Sequence, residues 1–259
     1  MSSRVDLHVL YKVANATISV FPFPHIYVRD VFPPDFYREL RAHLPPTETY
    51  RDLKALGRVG TRYPDGRLVM PVTTENVQAL TEPLRSFWDE LARWLRGGFG
   101  QIALSKFDPF LGQRFGDASK MSFYDEALIV QDYTTYSLGP HTDTPKKVLS
   151  FLFYLPPDDS LAHLGTSIYV PKDPGFSCPG RVHHPFEKFE RVITMPYLPN
   201  TLFAFLKTPN SFHGVEPITE GSVRRDLLLY DIKVKNPPEL AQQTPAAQPV
   251  AAPHAKFSF

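Results

Sequence analysis

The sequence predicts a mainly β protein of the α+β class, with N-terminal helices set against a β core. Two observations carry this. Up to about residue 120 apolar residues recur with a helical period. From residue 122 they fall into short extended runs separated by turns, the pattern of an all-β core. A third bounds it: 259 residues, 42% of them hydrophobic and 13% aromatic, can bury a substantial core. β architectures of this length are often single domains.

Taken in order, residues 1–20 are mixed, with a short strand expected over Thr17–Phe21. Residues 22–28 read as an opening strand whose prolines mark an edge or a start. Residues 33–44 read as a helix: prolines begin it, Phe36, Leu40 and Leu44 line one face, and Pro45-Pro46 stops it. Residues 47–72 are polar, with a turn at Tyr63-Pro-Asp-Gly66. Thr73 is placed to N-cap a helix whose apolar positions run from Val77 to Leu95, and Gly97-Gly98 is expected to end it. A further helix is expected over about 101–114. This helical part, about 30–120, reads as a buttress for one face of a sheet.

Strands are then expected at Ala127–Tyr133, Val148–Leu155, Thr166–Val170, Thr201–Leu206 and Asp226–Val234. Residues 171–199 carry prolines, aromatics and the pair His183-His184 without periodicity, which predicts a lid or binding loop. Residues 236–259, rich in Pro, Ala and Gln, read as a flexible tail. A single domain over 1–235, with its β core at about 122–235, is the expected organisation.

A formal net charge of +1 gives no field pointing to nucleic acid or a membrane surface. The single cysteine, Cys178, excludes an intramolecular disulfide and a cysteine-rich metal site. No apolar run reaches the length of a membrane span, and Asp6, His8 and Lys12 interrupt any N-terminal signal-like run. The expected location is a reducing cytoplasm.

His141 and Asp143 stand two apart, so on an extended strand both project to one face. A metal held by two such ligands needs a third, and His213, in Asn210-Ser-Phe-His-Gly-Val-Glu-Pro217, is the best candidate. Two histidines and one carboxylate, with open positions left over, suit non-haem Fe(II) and oxygen chemistry. Of the other histidines, His163 lies in a hairpin loop and His25 in the opening strand, while His8, His43 and His254 have no carboxylate or histidine partner at usable spacing; all five read as surface or core residues. His183 and His184, on the loop, are candidates for substrate contact.

The flanking segments strengthen this reading. Pro22-Phe-Pro-His25, Leu138-Gly-Pro-His-Thr-Asp143, Phe151-Leu-Phe-Tyr-Leu155, Leu164-Gly-Thr-Ser-Ile-Tyr169, Asn200-Thr-Leu-Phe-Ala-Phe205, His213-Gly-Val-Glu-Pro217 and Arg224-Arg-Asp-Leu-Leu-Leu-Tyr230 together resemble the iron(II)/2-oxoglutarate oxygenases, in their prolyl 4-hydroxylase-like branch. The resemblance is specific over about 130–233 and thinner over 20–130. It implies a double-stranded β-helix (jelly-roll) core, Fe(II), O2, and 2-oxoglutarate as co-substrate.

It also implies an arginine on the last strand for the distal carboxylate of 2-oxoglutarate, and Arg224 and Arg225 both qualify. Alternation lets only one face inward. Arg225 is preferred, over Leu227 and Leu229, because Arg224 would bring Asp226 beside the anion. Relatives usually carry Arg-x-Ser here, and that serine is missing. Tyr133, Tyr154 and Thr166 are candidates for the remaining donors.

What the resemblance implies is hydroxylation of an unactivated C–H bond, with succinate and carbon dioxide as co-products. The expected substrate is a small molecule or carbohydrate-type compound, anionic ones included, with Lys146 and Lys147 near the mouth as candidate contacts. A peptidyl-prolyl hydroxylase and a non-catalytic jelly-roll metal- or ligand-binding module are the alternatives.

Overall fold

From Phe123 onward the chain runs back and forth as eight strands: β4 (Phe123–Tyr133), β5 (Leu138–His141), β6 (Lys147–Tyr154), β7 (Thr166–Pro171), β8 (Phe189–Met195), β9 (Thr201–Leu206), β10 (His213–Val215) and β11 (Arg224–Val234). Ahead of them lie α1 (Ser3–Asn15), β1 (His25–Arg29), α2 (Pro34–Ala42), β2 (Arg51–Asp52), β3 (Arg67–Pro71), α3 (Thr74–Gln78), α4 (Leu84–Trp94) and α5 (Gly100–Phe115). The structure is a computed structural model describing residues 3–237 apart from 62, 181 and 220.

Two antiparallel sheets result. The larger has the order β1-β9-β6-β11-β4-β3-β2 and the smaller β5-β10-β7-β8. The eight strands from β4 on pass between the sheets in the jelly-roll order, crossing at every step except β7 to β8, which pair within the small sheet, and this makes the core a double-stranded β-helix.

Strand alternation gives the large sheet two faces. On one, Ile129, Phe151, Phe153, Leu228 and Tyr230 pack against helix residues such as Leu40, Trp88, Leu91 and Phe99 in one apolar cluster. On the other, Val69, Val130, Tyr154, Phe203, Phe205 and Leu227 meet Ile168 and Met195 of the small sheet. The order is therefore helices, large sheet, small sheet, and the site lies between the sheets.

The five expected strands are all present. The helices differ from expectation at three points. Ser3–Asn15 is helical, with Val5, Val9 and Val13 buried at i, i+4, i+8. Where the strand over 17–21 was expected, the chain makes only an isolated bridge, Ser19 to His25. The helix expected from Thr73 to Leu95 is two, because the chain turns through Thr81-Glu82-Pro83 and restarts at Leu84. Thr73 does cap the first of them, its hydroxyl accepting from the Asn76 N–H at 3.2 Å.

Gly97-Gly98 does not end a helix. The chain continues through a single π turn, Leu95–Phe99, into α5. Leu95 and Phe99 are buried there, and the Tyr230 hydroxyl donates at 2.9 Å to the Leu95 carbonyl, which also accepts the Gly100 N–H of the wide turn.

The lid expected over 171–199 is corrected as well, since Phe189–Met195 form β8, paired along β7. Glu190 to Val192 are exposed in succession along this edge strand, so no inside–outside alternation marked it in the sequence. The tail expected over 236–259 lies, from residue 238, outside the described residues.

Candidate active site

His141 ends β5 and His213 opens β10, and the pairing of those strands sets the two directly opposite each other. Their rings lie 4.3 Å apart, centroid to centroid. Asp143 follows in the turn after β5. One ligand atom from each of His141, Asp143 and His213 lies within 4.8 Å of the others, and all three residues are buried. Among the described residues no other group of three or more such side chains converges in this way.

Backbone carbonyls fix both imidazoles. Nδ1 of His141 donates to Gly139 O at 3.0 Å and Nδ1 of His213 to Ser211 O at 3.0 Å, leaving each Nε2 free as a lone-pair donor. Burial, and then the neighbouring His213, pushes the His141 pKa well below the ordinary value; burial also lowers that of His213. Both rings are thus neutral at pH 7, the form that binds a metal.

Burial, the largest single influence, works against ionisation of Asp143, but Lys147, the two histidines and Ser150 together outweigh it, and its carboxyl is held well below the usual range. Lys147 Nζ lies 3.2 Å from Asp143 Oδ1 and 3.0 Å from Asp231 Oδ2. The Ser150 hydroxyl donates to Asp143 Oδ2 at 2.9 Å. The expectation that Lys147 meets substrate at the mouth is corrected: its ammonium lies between two buried carboxylates, behind the ligand. Lys146 is exposed.

At the other end of the inner face, alternation along β11 separates the two arginines. Arg225 is fully buried; Arg224 is half exposed and pairs with Asp226 at 3.1 Å. Arg225 lies over the Tyr197 ring at 5.1 Å, and its Nη1 donates to Asp132 Oδ2 at 3.2 Å. Nε and Nη2 of Arg225 are buried without a hydrogen-bond partner, and so is the Thr166 hydroxyl.

Tyr154 connects them. Its hydroxyl oxygen accepts from the Thr166 N–H at 3.1 Å, and burial pushes its pKa up to about 12, so it keeps a proton to donate. Tyr133 is corrected: by strand parity it shares the helix-facing side with Ile129, and its hydroxyl donates to Gln131 at 2.7 Å.

Arg67 and Asp132 were not among the residues singled out from the sequence. Arg67 grips Asp132 with two hydrogen bonds, Nε to Oδ1 at 2.6 Å and Nη2 to Oδ2 at 2.8 Å. What reveals them is the register Arg225↔Asp132↔Arg67 across three strands, which pairing alone supplies.

His183 and His184 part company. His183 stands edge-on to His141, with centroids 4.8 Å apart, and 5.8 Å from Tyr63, at the rim of the metal ligands. His184 turns its ring into an aromatic cluster with Phe176, Phe189 and Phe212, and its backbone N–H donates to Pro140 O at 2.9 Å. Its ring is therefore structural, which corrects its place among the substrate contacts.

The loop that carries them is sewn to the ligand strand. Thr142 Oγ1 donates to Cys178 O at 2.8 Å. Gly180, at φ +123°, passes so close that a Cβ there would meet Asp143 O at 2.2 Å. His25 is a core residue, its Nδ1 donating to Phe23 O at 2.8 Å.

The residues fit what the resemblance implies. A neutral-His, neutral-His, carboxylate set suits ferrous iron. Buried, unpartnered N–H and O–H groups of Arg225 and Thr166, beside Tyr154, suit a carboxylate.

No family model matches the sequence, and no curated protein matches it. Solved structures do resemble it. A prolyl-4-hydroxylase from Pseudomonas putida is 16% identical, with 89% of this chain and 100% of that one covered, at a TM-score of 0.47. A prolyl hydroxylase from Trichoplax adhaerens, in complex with a hypoxia inducible factor peptide, is 10% identical, with 89% of each chain covered and a TM-score of 0.48. The epimerase SnoN from nogalamycin biosynthesis, in complex with Fe3+, alpha ketoglutarate and nogalamycin RO, is 11% identical, with 88% and 83% covered and a TM-score of 0.47. In sequence motif and in structural likeness alike, this chain resembles the 2-oxoglutarate/Fe(II) oxygenases.

Proposed function

We propose that the protein is an Fe(II)- and 2-oxoglutarate-dependent dioxygenase that hydroxylates an unactivated C–H bond of a small-molecule or carbohydrate-type substrate. The observation that carries this is one inter-sheet space holding the His141–Asp143–His213 cluster and, further along it, a buried arginine with two unpartnered donors. A buried unpaired N–H is costly, and two on one guanidinium beside an unpaired hydroxyl favour an anion that completes them.

When bound, iron with 2-oxoglutarate and O2 supplies the oxidising power, releasing succinate and carbon dioxide. The chain's own residues do the rest. His141 and His213 present Nε2, and Asp143 presents a carboxylate oxygen. Lys147 and Ser150 hold that carboxylate in a fixed rotamer. Arg225, with Tyr154 and Thr166, orients the distal carboxylate and so sets how the keto acid meets the metal. His183 and Tyr63 stand where a substrate enters, and both carry a polar edge able to orient a hydroxyl or carbonyl.

The presence of Asp143 supports hydroxylation, since related halogenases lack that carboxylate. Among the described residues no helix is long and apolar enough to cross a membrane.

The test is spectroscopic first. Anaerobic Fe(II) protein mixed with 2-oxoglutarate should develop the weak visible charge-transfer band of a bidentate chelate, and His213→Ala should not. Succinate release across a panel of metabolites, sugars and prolyl peptides then finds the substrate. Fe(II) protein that gives neither band nor succinate would overturn the reading, and turnover confined to prolyl peptides would replace the substrate class.

A further inference from the structure

The arginine proposed for 2-oxoglutarate shares its place with a carboxylate. Asp132 and Arg225 are both fully buried, and Arg67, from β3, is 12% exposed at its side chain. A buried aspartate 3.2 Å from Arg225 would by itself cancel the charge that an incoming anion needs. Arg67 changes that balance. It occupies both oxygens of Asp132 at 2.6 and 2.8 Å, leaving Arg225 a single longer contact through Nη1. The cluster of two guanidinium groups and one carboxylate keeps one net positive charge, and Nε and Nη2 of Arg225 stay free.

Arg67 is itself held in place. Its guanidinium lies over the Tyr136 ring at 4.3 Å, and Tyr63, which it approaches at 3.5 Å, accepts or donates to Tyr136 at 3.1 Å.

We propose that Arg67 is a positioning residue for 2-oxoglutarate: it neutralises Asp132 so that Asp132 orients Arg225 without quenching it. This rests on the co-substrate reading above. It extends the co-substrate site to β3, a strand outside the eight of the jelly roll, and makes 2-oxoglutarate affinity depend on charge balance among three residues rather than on Arg225 alone.

Removing Arg67 frees Asp132 to take Arg225 as its full partner. Charge and orientation are then lost together. Replacing the carboxylate by an amide as well leaves Arg225 as the one remaining charge, with an oxygen at position 132 still able to accept from its Nη1, and restores the balance.

The experiment is isothermal titration of 2-oxoglutarate into Mn(II)-loaded full-length protein. Arg67→Gln should raise the dissociation constant by about tenfold or more, the scale of a charge-assisted contact. Arg67→Lys should recover part of the loss, since it returns the charge without the fork. The double variant Arg67→Gln/Asp132→Asn should bind within about threefold of the native protein. A merely structural Arg67 predicts the opposite for the double variant, because a second buried substitution would only add damage.

Mn(II) affinity and melting temperature are measured alongside, and Arg67→Lys carries the test if Arg67→Gln does not fold. Native binding with Arg67→Gln unchanged, or a double variant no better than the single, overturns this inference and leaves the co-substrate reading standing. Native protein that takes up Mn(II) but no 2-oxoglutarate overturns both.

Discussion

The two faces of the large sheet are made from the same strands and spend them differently. The face toward the helices is mostly hydrocarbon and aromatic, centred on Phe99, which contacts Phe151, Phe153 and Tyr230, with Gln131 and Asp226 buried at its end. The face toward the small sheet buries Asp132, Arg225 and Asp231, and Asp143 joins them from the turn after β5. Hydrophobic burial stabilises the first by about 25 cal/mol per Å2 of apolar surface. Buried charges on the second gain little net stability even when paired. Stability and chemistry are thus carried on opposite sides of one strand, and alternate residues of β11 can be altered for one with little effect on the other.

The largest expected effect divides the faces cleanly. His141→Ala, Asp143→Ala or His213→Ala should each reduce Fe(II)-dependent 2-oxoglutarate turnover to background, with the melting temperature of metal-free protein shifting by only a few degrees. Calorimetry and succinate release check both halves. On the helical side, Phe99→Ala should lower unfolding free energy by about 3–5 kcal/mol while metal affinity per folded molecule stays native. Chemical denaturation with Mn(II) titration measures that, and a loss of metal affinity there would break the division.

Next, Arg225→Ala should weaken 2-oxoglutarate binding by about 30-fold to several thousand-fold, corresponding to roughly 2–5 kcal/mol. Arg224→Ala, one residue away on the other face, should change it by less than about threefold. The reverse ranking, in isothermal titration, would shift β11 by one residue.

pH sharpens the comparison further. The folded-state pKa values of His141 and His213 are lowered, so as pH falls through about 6.5 the unfolded chain takes up protons first. Metal-free protein should therefore lose stability below that pH. The metal dissociation constant should stay flat from pH 7.5 to 6.5 and rise only below, because the native rings remain neutral. Urea denaturation and Mn(II) titration across pH 5–8 test the sign.

The smallest effect is at the rim. Lys146→Ala, exposed, should change stability by no more than about 0.5 kcal/mol, whereas Lys147→Met, which strands Asp143 and Asp231 together, should cost about 3–5 kcal/mol.

Much of this was legible in the sequence where a residue's role depends on its own strand. His141 and Asp143 share a face by spacing alone, and the choice of Arg225 over Arg224 followed from the parity of Leu227 and the sign of Asp226. Roles that depend on a neighbouring strand were not legible. Asp132 lies beside Arg225 through pairing across 93 residues, and Lys147 turns inward because Asp231, on β11, awaits it there. Short or uniformly exposed strands left no pattern either: β10 has three residues, and β8 is an edge strand exposed through its middle. The 73–95 segment shows the converse failure, in which continuous helical periodicity concealed a break at Pro83.

One feature of the topology bears on how the chain reaches this state. The last strand, β11, is central in the large sheet, pairing along its length with β4, about a hundred residues earlier, and with β6. A chain with most of its pairings non-local folds slowly, because loop closure costs entropy before contacts offset it. Until residues 224–234 are in place, β4 and β6 present open edges to one another and the helices have only part of their sheet to cover. The strand that carries Arg225 is thus also the one that closes the fold. Closing of the large sheet and burial of Arg225 become a single late event, and a chain interrupted before residue 224 would have neither.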